Sequence, residues 1–146
     1  MKKVCWILML CSVVGLSWTA DAQGTLSAEQ IQAMKERLSA LTNPVARLFF
    51  QANIYRAEGE TEQALRTLAE LNALYAREDR YIGRSELLSA ELYLELGMPD
   101  QADVTARQVQ MFYEGTELAE KAGVLREQIK QSKKSSTDAD GNRRSE

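Results

Sequence analysis

The chain repeats itself with a period of 38 residues, and this repeat limits its possible folds more than any other feature. Six positions in one segment return as identical or similar residues in a second: Ala52, Ile54, Tyr55, Gly59, Gln63 and Ala64 return as Ala90, Leu92, Tyr93, Gly97, Gln101 and Ala102. A period of this length is typical of proteins that stack one small structural unit on the next. We therefore expect two similar units packed side by side.

Each unit has the pattern of two helices joined at a glycine. In the first copy, apolar residues recur every three or four positions on both sides of Gly59: Leu48, Ala52 and Tyr55 before it, then Ala64, Leu65, Leu68 and Leu71. Helix-forming residues dominate from Ser27 onward. A glycine suits the left-handed residue that ends many helices, and a small side chain at Ala64 or Ala102 lets two helices approach closely. The sequence therefore predicts an all-α fold made of antiparallel helix hairpins.

The spacing of these residues resembles the signature of the tetratricopeptide repeat (TPR) family. A tyrosine is followed by a glycine four residues later and an alanine five residues beyond that, in both copies, and a small residue precedes the tyrosine by three. The residues that match the signature are Ala52, Tyr55, Gly59, Ala64, Ala90, Tyr93, Gly97 and Ala102. The resemblance covers roughly residues 45–113 and implies a short α-solenoid whose first helices line a protein-binding surface.

The sequence departs from the family pattern at several positions. The first-helix tryptophan position carries Leu48 and then Glu86, and an aromatic position of the second helix carries Ala106 in copy two. The family period is about 34 residues, so we expect the extra residues of the 38-residue period in a polar connector around residues 76–82. Because Glu86 and Ala106 both lie in copy two, that copy is the more degenerate one.

Further segments flank the repeats and complete a predicted helical domain of about six helices over residues 23–132. Ser27 and Gln30 have the spacing of a capping box that opens a leading helix over residues 27–42. Repeat one is placed at 45–78, repeat two at 83–114, and a capping helix at 116–132. The tail, residues 133–146, contains Ala139 as its single apolar residue and is expected to be disordered.

The first 22 residues have the pattern of a bacterial secretory signal peptide. Lys2 and Lys3 precede an apolar run over residues 4–18, and Ala20 and Ala22 are the small residues of a cleavage site. A membrane-spanning helix needs about 20 apolar residues, more than this run supplies. We expect cleavage, export to the periplasm or the exterior, and no stable membrane insertion afterwards; a retained signal anchor is the alternative.

The remaining residues exclude most catalytic and metal-binding chemistry. The chain has no histidine, and its two cysteines, Cys5 and Cys11, both lie in the predicted leader. No phosphate loop, hydrolase motif or metal-ligand spacing is present, so we expect no enzyme, no cofactor and no metal. Without Lys2, Lys3 and Asp21, the 18 basic and 21 acidic residues become 16 and 20. This net charge of −4 disfavours nucleic-acid binding.

The resemblance places a candidate partner-binding groove on the first helix of each repeat. The residues it assigns there are Phe49, Asn53, Arg56, Arg84, Leu87, Glu91 and Leu94. The polar members suit a peptide backbone, and the apolar members suit side chains of a partner protein or peptide. The alternative is that the apolar members belong to the core and that Arg56 and Glu91 form a solvated ion pair. A second hypothesis for the function is self-association as a homodimer that buries exposed apolar edges.

Overall fold

The computed structural model describes the backbone of residues 27–143 and, except for Asp79, the side chains of residues 27–134. Within this range the chain forms six α-helices and no strands: α1 (Ala28–Ala40), α2 (Pro44–Ala57), α3 (Thr61–Leu74), α4 (Asp79–Glu95), α5 (Pro99–Phe112) and α6 (Glu117–Arg143). The predicted all-α fold with about six helices is confirmed. The predicted signal peptide lies outside the described residues.

Local sequence signals determine where the first two helices begin. Ser27 Oγ accepts a hydrogen bond from the backbone N–H of Gln30, whose side-chain oxygen accepts one from the N–H of Ser27 at 2.8 Å. This is the predicted capping box. Asn43 caps α2 by accepting from the N–H of Ala46 at 3.0 Å, and Pro44 occupies a position where its missing N–H costs nothing.

The turns inside the two repeats have the same hydrogen bonds, 38 residues apart. Gly59 has φ of 80° and Gly97 has φ of 71°, in the left-handed region that favours glycine. After α2, the N–H of Glu60 donates to the carbonyl of Tyr55 at 2.8 Å, and after α4 the N–H of Met98 donates to the carbonyl of Tyr93 at 2.8 Å. This pairing is the Schellman motif, which ends a helix and satisfies its last carbonyls.

Each helix packs against the next along the chain, and α4 also contacts both α2 and α6. The buried residues form two clusters. The N-terminal core contains Ala52, Ala64, Leu68, Leu88 and Leu92. The C-terminal core contains Leu87, Ala90, Ala102, Ala106, Val109, Ala122, Leu125 and Ile129. Because α4 contributes to both clusters, it is the central helix of the fold.

The connector between the repeats is shorter than expected, and the first helix of repeat two is longer. The helix α4 begins at Asp79 rather than near residue 83, so only residues 75–78 link it to α3. The additional turn is held by aromatic packing, because the ring of Tyr81 meets the ring of Phe49 edge to face, with centroids 5.9 Å apart. Much of the additional length of the 38-residue period therefore lies in a helix.

The tail is the second difference from the expectation. The last helix does not stop near residue 132 but continues to Arg143, so residues 133–143 are helical where a disordered segment was predicted. A helix already nucleated and packed through Ile129 can be extended by polar residues at little cost, since nucleation is the expensive step. None of the described helices combines the length and apolar character that crossing a bilayer requires.

Candidate functional site

The seven residues assigned to a partner-binding groove lie along one continuous surface. Six of them line a cavity of about 430 Å³ between α2, α4 and α6: Phe49, Asn53, Arg56, Arg84, Leu87 and Glu91. The seventh, Leu94, lines a neighbouring cavity of about 740 Å³. Arg56 and Glu91 line both cavities, so the two are parts of one depression. We call this surface the groove, and the two parts the smaller and the larger cavity.

The apolar members of the set differ in how accessible they are. Leu87 is 8% exposed and belongs to the C-terminal core, so it forms the floor of the groove. Phe49 and Leu94 are half-buried; Phe49 packs against the N-terminal core and Leu94 against the C-terminal core. Leu87 is therefore a core residue, whereas Phe49 and Leu94 leave part of their surface open to solvent.

Arg56 bridges two carboxylates of α4. Its Nη1 lies 2.5 Å from Oε2 of Glu91, and its Nη2 lies 2.6 Å from Oε1 of Glu95. All three side chains are about one-third exposed, between 33% and 34%. Burial works to lower the pKa of Arg56, but the adjacent carboxylates of Glu91 and Glu95 outweigh it and raise that pKa. The ion pair between Arg56 and Glu91 that the alternative interpretation predicted is therefore present, and Glu95 makes it a cluster of three.

Asn53 and Arg84 supply the remaining polar groups of the smaller cavity. The side-chain amide of Asn53 donates to the backbone carbonyl of Phe49 at 2.7 Å, one turn earlier in α2. Arg84 is exposed, and none of the described residues forms an ion pair with it. In this cavity three cations, Arg56, Arg84 and Lys121, face two carboxylates, those of Glu91 and Glu117. The smaller cavity therefore carries a formal charge of +1.

The helix α6 provides the third wall of the groove, which was not predicted from the sequence. The α6 residues that line one or both cavities are Glu117, Leu118, Glu120, Lys121, Val124, Leu125 and Gln128. A signal for this wall exists in the sequence, since Tyr75 recurs as Tyr113 at the same 38-residue shift. The repeat thus continues into the start of α6, which begins 38 residues after α4.

Further along α6 the residues of the repeat are lost. The positions equivalent to Ala90 and Tyr93 are Gln128 and Gln131. In α6, polar side chains therefore stand where α4 has the small and aromatic residues that pack against α5. The helix α6 therefore has two roles: it covers the C-terminal core and lines the groove.

Comparison with known proteins adds no relative to this picture, because no protein-family model, curated protein or solved structure matches the chain. The geometry of the groove is thus the basis for inferring a function.

Charge is distributed unevenly along the groove. The larger cavity is lined by four carboxylates, those of Glu91, Glu95, Glu117 and Glu120, and by two cations, Arg56 and Lys121. Lys121 Nζ lies 2.8 Å from Oε1 of Glu117. The pKa of the Glu117 carboxyl is lowered, mainly by the hydrogen bond that Lys121 donates and further by the positive charge of Lys121. The larger cavity therefore carries a formal charge of −2, opposite in sign to the smaller one.

The groove combines solvent-accessible charged groups with partly exposed apolar side chains. The described residues contain no group of three or more His, Cys, Asp or Glu side chains placed to hold a metal ion. The carboxylates that line the larger cavity are solvent-accessible, and two of them are shared with a guanidinium. Such an arrangement suits recognition of a charged and partly apolar surface.

Proposed function

We propose that the protein is an exported, TPR-like scaffold or adaptor of the bacterial cell envelope that binds another protein through its groove. The observation that carries the proposal is that side chains of three helices, α2, α4 and α6, line two adjoining cavities without interruption. A segment of a partner protein fits a depression of this form, which is long, partly apolar and flanked by charges. The leader pattern of residues 1–22 supports export.

The packing beneath the groove supports this proposal, because it makes the receptor rigid. Ala52, Ala64, Ala90 and Ala102 are all fully buried, in the two cores where α3 and α5 pack against the wall helices α2 and α4. Small residues at these positions allow close helix packing with few rotamers to order. A rigid receptor leaves only the partner segment to be ordered on binding, which reduces the entropic cost of the complex.

The experiment that tests this proposal is photo-crosslinking in cells. A photoreactive amino acid at Asn53 samples the smaller cavity, one at Gln128 samples the larger cavity, and one at Glu70 on α3 serves as a control outside the groove. We expect one discrete protein adduct from both groove positions and none from Glu70. The same adduct pattern from all three positions, or no protein adduct from either groove position, contradicts the proposal.

Export needs its own test, since the signal peptide is proposed from sequence alone. Expression of the full chain and of a chain lacking residues 2–22, followed by fractionation, compares the two locations. We expect the full chain in the periplasm or medium, shortened after Ala22, and the truncated chain in the cytoplasm. Retention of the full-length chain in the cytoplasm would be evidence against export.

A second candidate function, self-association, is favoured by exposed apolar side chains away from the groove. Phe112 is 79% exposed, Met111 68% and Leu74 64%. Leu74 and Phe112 are the last residues of α3 and α5, in equivalent positions of the two repeats. Sedimentation at increasing protein concentration, with Phe112→Ser as the comparison, tests this alternative. A monomer at every concentration contradicts it.

A further inference from the structure

We infer that the larger cavity of the groove binds a lysine or arginine side chain of a partner segment, next to an apolar side chain of the same segment. This inference rests on the proposed function and specifies the chemistry of the partner. It commits to a basic and apolar segment because charge and exposed apolar surface coincide in this cavity.

The ion-pair cluster leaves one carboxylate charge uncompensated. One guanidinium, that of Arg56, serves both Glu91 and Glu95, so the three side chains together carry a charge of −1. Each carboxylate remains about one-third exposed and still accessible to a second cation. A lysine or arginine from a partner would complete a network of two cations and two carboxylates.

These carboxylates lie at the C-terminal end of α4. The backbone dipoles of a helix give its C-terminal end a partial negative charge, which favours cations there. The last turn of α4 contains no basic residue, and Glu95 is its final residue. Both the helix end and the side chains therefore attract a cation to the same place.

The helix α6 adds further negative charge to the larger cavity. Glu120 is exposed on the cavity wall, and none of the described residues forms an ion pair with it. Lys121, the adjacent cation, is already held by Glu117 at 2.8 Å. The smaller cavity has the opposite sign because of Arg84, so a cation is attracted specifically to the larger one.

An apolar surface lies beside these charges in the larger cavity. Val124 is 61% exposed on the cavity wall, one turn of α6 beyond Glu120, and Leu94 is half-buried opposite it. An apolar side chain of the partner that covers Val124 removes both surfaces from water and adds affinity that charges alone do not provide. The cavity therefore selects a segment in which basic and apolar residues are neighbours.

A random-peptide display library, selected on the protein without residues 1–22, tests this inference with a defined probe. The binders are eluted at raised ionic strength and sequenced, and single peptides are then measured by fluorescence anisotropy. We expect enrichment of lysine or arginine next to leucine, isoleucine, valine or phenylalanine. Replacing Glu95→Gln and Glu120→Gln together is expected to weaken the selected peptides roughly tenfold.

The matched control is the double substitution Glu62→Gln and Glu70→Gln on α3. It removes the same net charge from exposed positions that do not line the groove, and it should leave the affinity within about twofold. Groove-binding peptides without basic residues, or equal losses in both double variants, would overturn the inference while leaving the proposed function standing. If no selected peptide binds the groove, the proposed function fails, and this inference fails with it.

Discussion

The ring of Tyr113 lies so close to Gly83 that a β-carbon added to the glycine would be 2.5 Å from Cζ of the ring. The same β-carbon would be 2.7 Å from Cδ2 of Leu118. Gly83 is buried in α4, Tyr113 follows the end of α5, and Leu118 lies in the first turn of α6. The absence of a side chain at Gly83 is therefore what allows three helices to meet.

This contact reverses the usual effect of replacing a helical glycine by alanine. The change generally stabilises a helix interior by about 0.5–1 kcal/mol. At Gly83 the added methyl group must displace a ring and a leucine, so we expect Gly83→Ala to lower the free energy of unfolding by roughly 1–3 kcal/mol. Urea denaturation measures the change.

A matched control for that substitution is Gly123→Ala in α6. There the added β-carbon meets only the end of the flexible Gln110 side chain, at 3.3 Å from Nε2. We expect this variant to be unchanged or slightly more stable. Equal destabilisation by the two substitutions would show that the Tyr113 contact is not the cause.

Removing the cation of the ion-pair cluster should expose a repulsion between its carboxylates. Arg56→Gln leaves Glu91 and Glu95 one turn apart on α4 without their shared partner. We expect a loss of roughly 1 kcal/mol in the free energy of unfolding, since the side chains are partly exposed and solvent screens them. The loss should shrink in high salt and be partly restored by adding Glu95→Gln. A double-mutant cycle with no coupling between the two substitutions would contradict this.

The stability of the protein should depend on the protonation of Glu86, which takes the place of Leu48 in repeat two. The side chain is half-buried, and burial raises the pKa of its carboxyl above the ordinary value of 4.5. The native state therefore keeps this proton to higher pH than the unfolded state does. The contribution of Glu86 to stability is favourable at low pH and is lost as pH rises through its native pKa.

The expected result is that Glu86→Gln raises the melting temperature at pH 7 relative to the unchanged protein. At pH 3, where both states hold the proton, the two proteins should melt at nearly the same temperature. Thermal melts followed by circular dichroism at several pH values make the comparison, with Glu62→Gln as an exposed control. An advantage for Glu86→Gln that stays constant from pH 3 to pH 7 is incompatible with this explanation.

Two residues of α6 separate its structural role from its role in the groove. Ile129 is fully buried in the C-terminal core, whereas Val124 is 61% exposed on the groove wall. We expect Ile129→Ala to cost about 2–4 kcal/mol in the free energy of unfolding. Val124→Ala should change stability by less than about 0.5 kcal/mol but weaken crosslinking from Gln128. Similar stability losses in both variants would mean that Val124 is a packing residue.

Much of the candidate site was accessible to sequence reasoning, because the repeat fixes the phase of the helices. The seven residues that the family resemblance assigned to the groove share one surface, since they recur at helical spacing on the first helices α2 and α4. The wall formed by α6 was missed because its polar residues resemble those of any solvated helix. Only the contact of α6 with α4 and α5 shows which of them face the groove.

Residue types over a few positions were enough to predict about six helices, the capping box at Ser27 and the turns at Gly59 and Gly97. Their physical basis is local, in side-chain size, φ preference and apolar period. By contrast, the contact of Arg56 with Glu95, 39 residues away, and the space that Gly83 leaves for Tyr113 are visible only in the folded chain. Such contacts depend on how whole helices pack, and close packing is resolved by shape across many residues at once rather than by any local pattern.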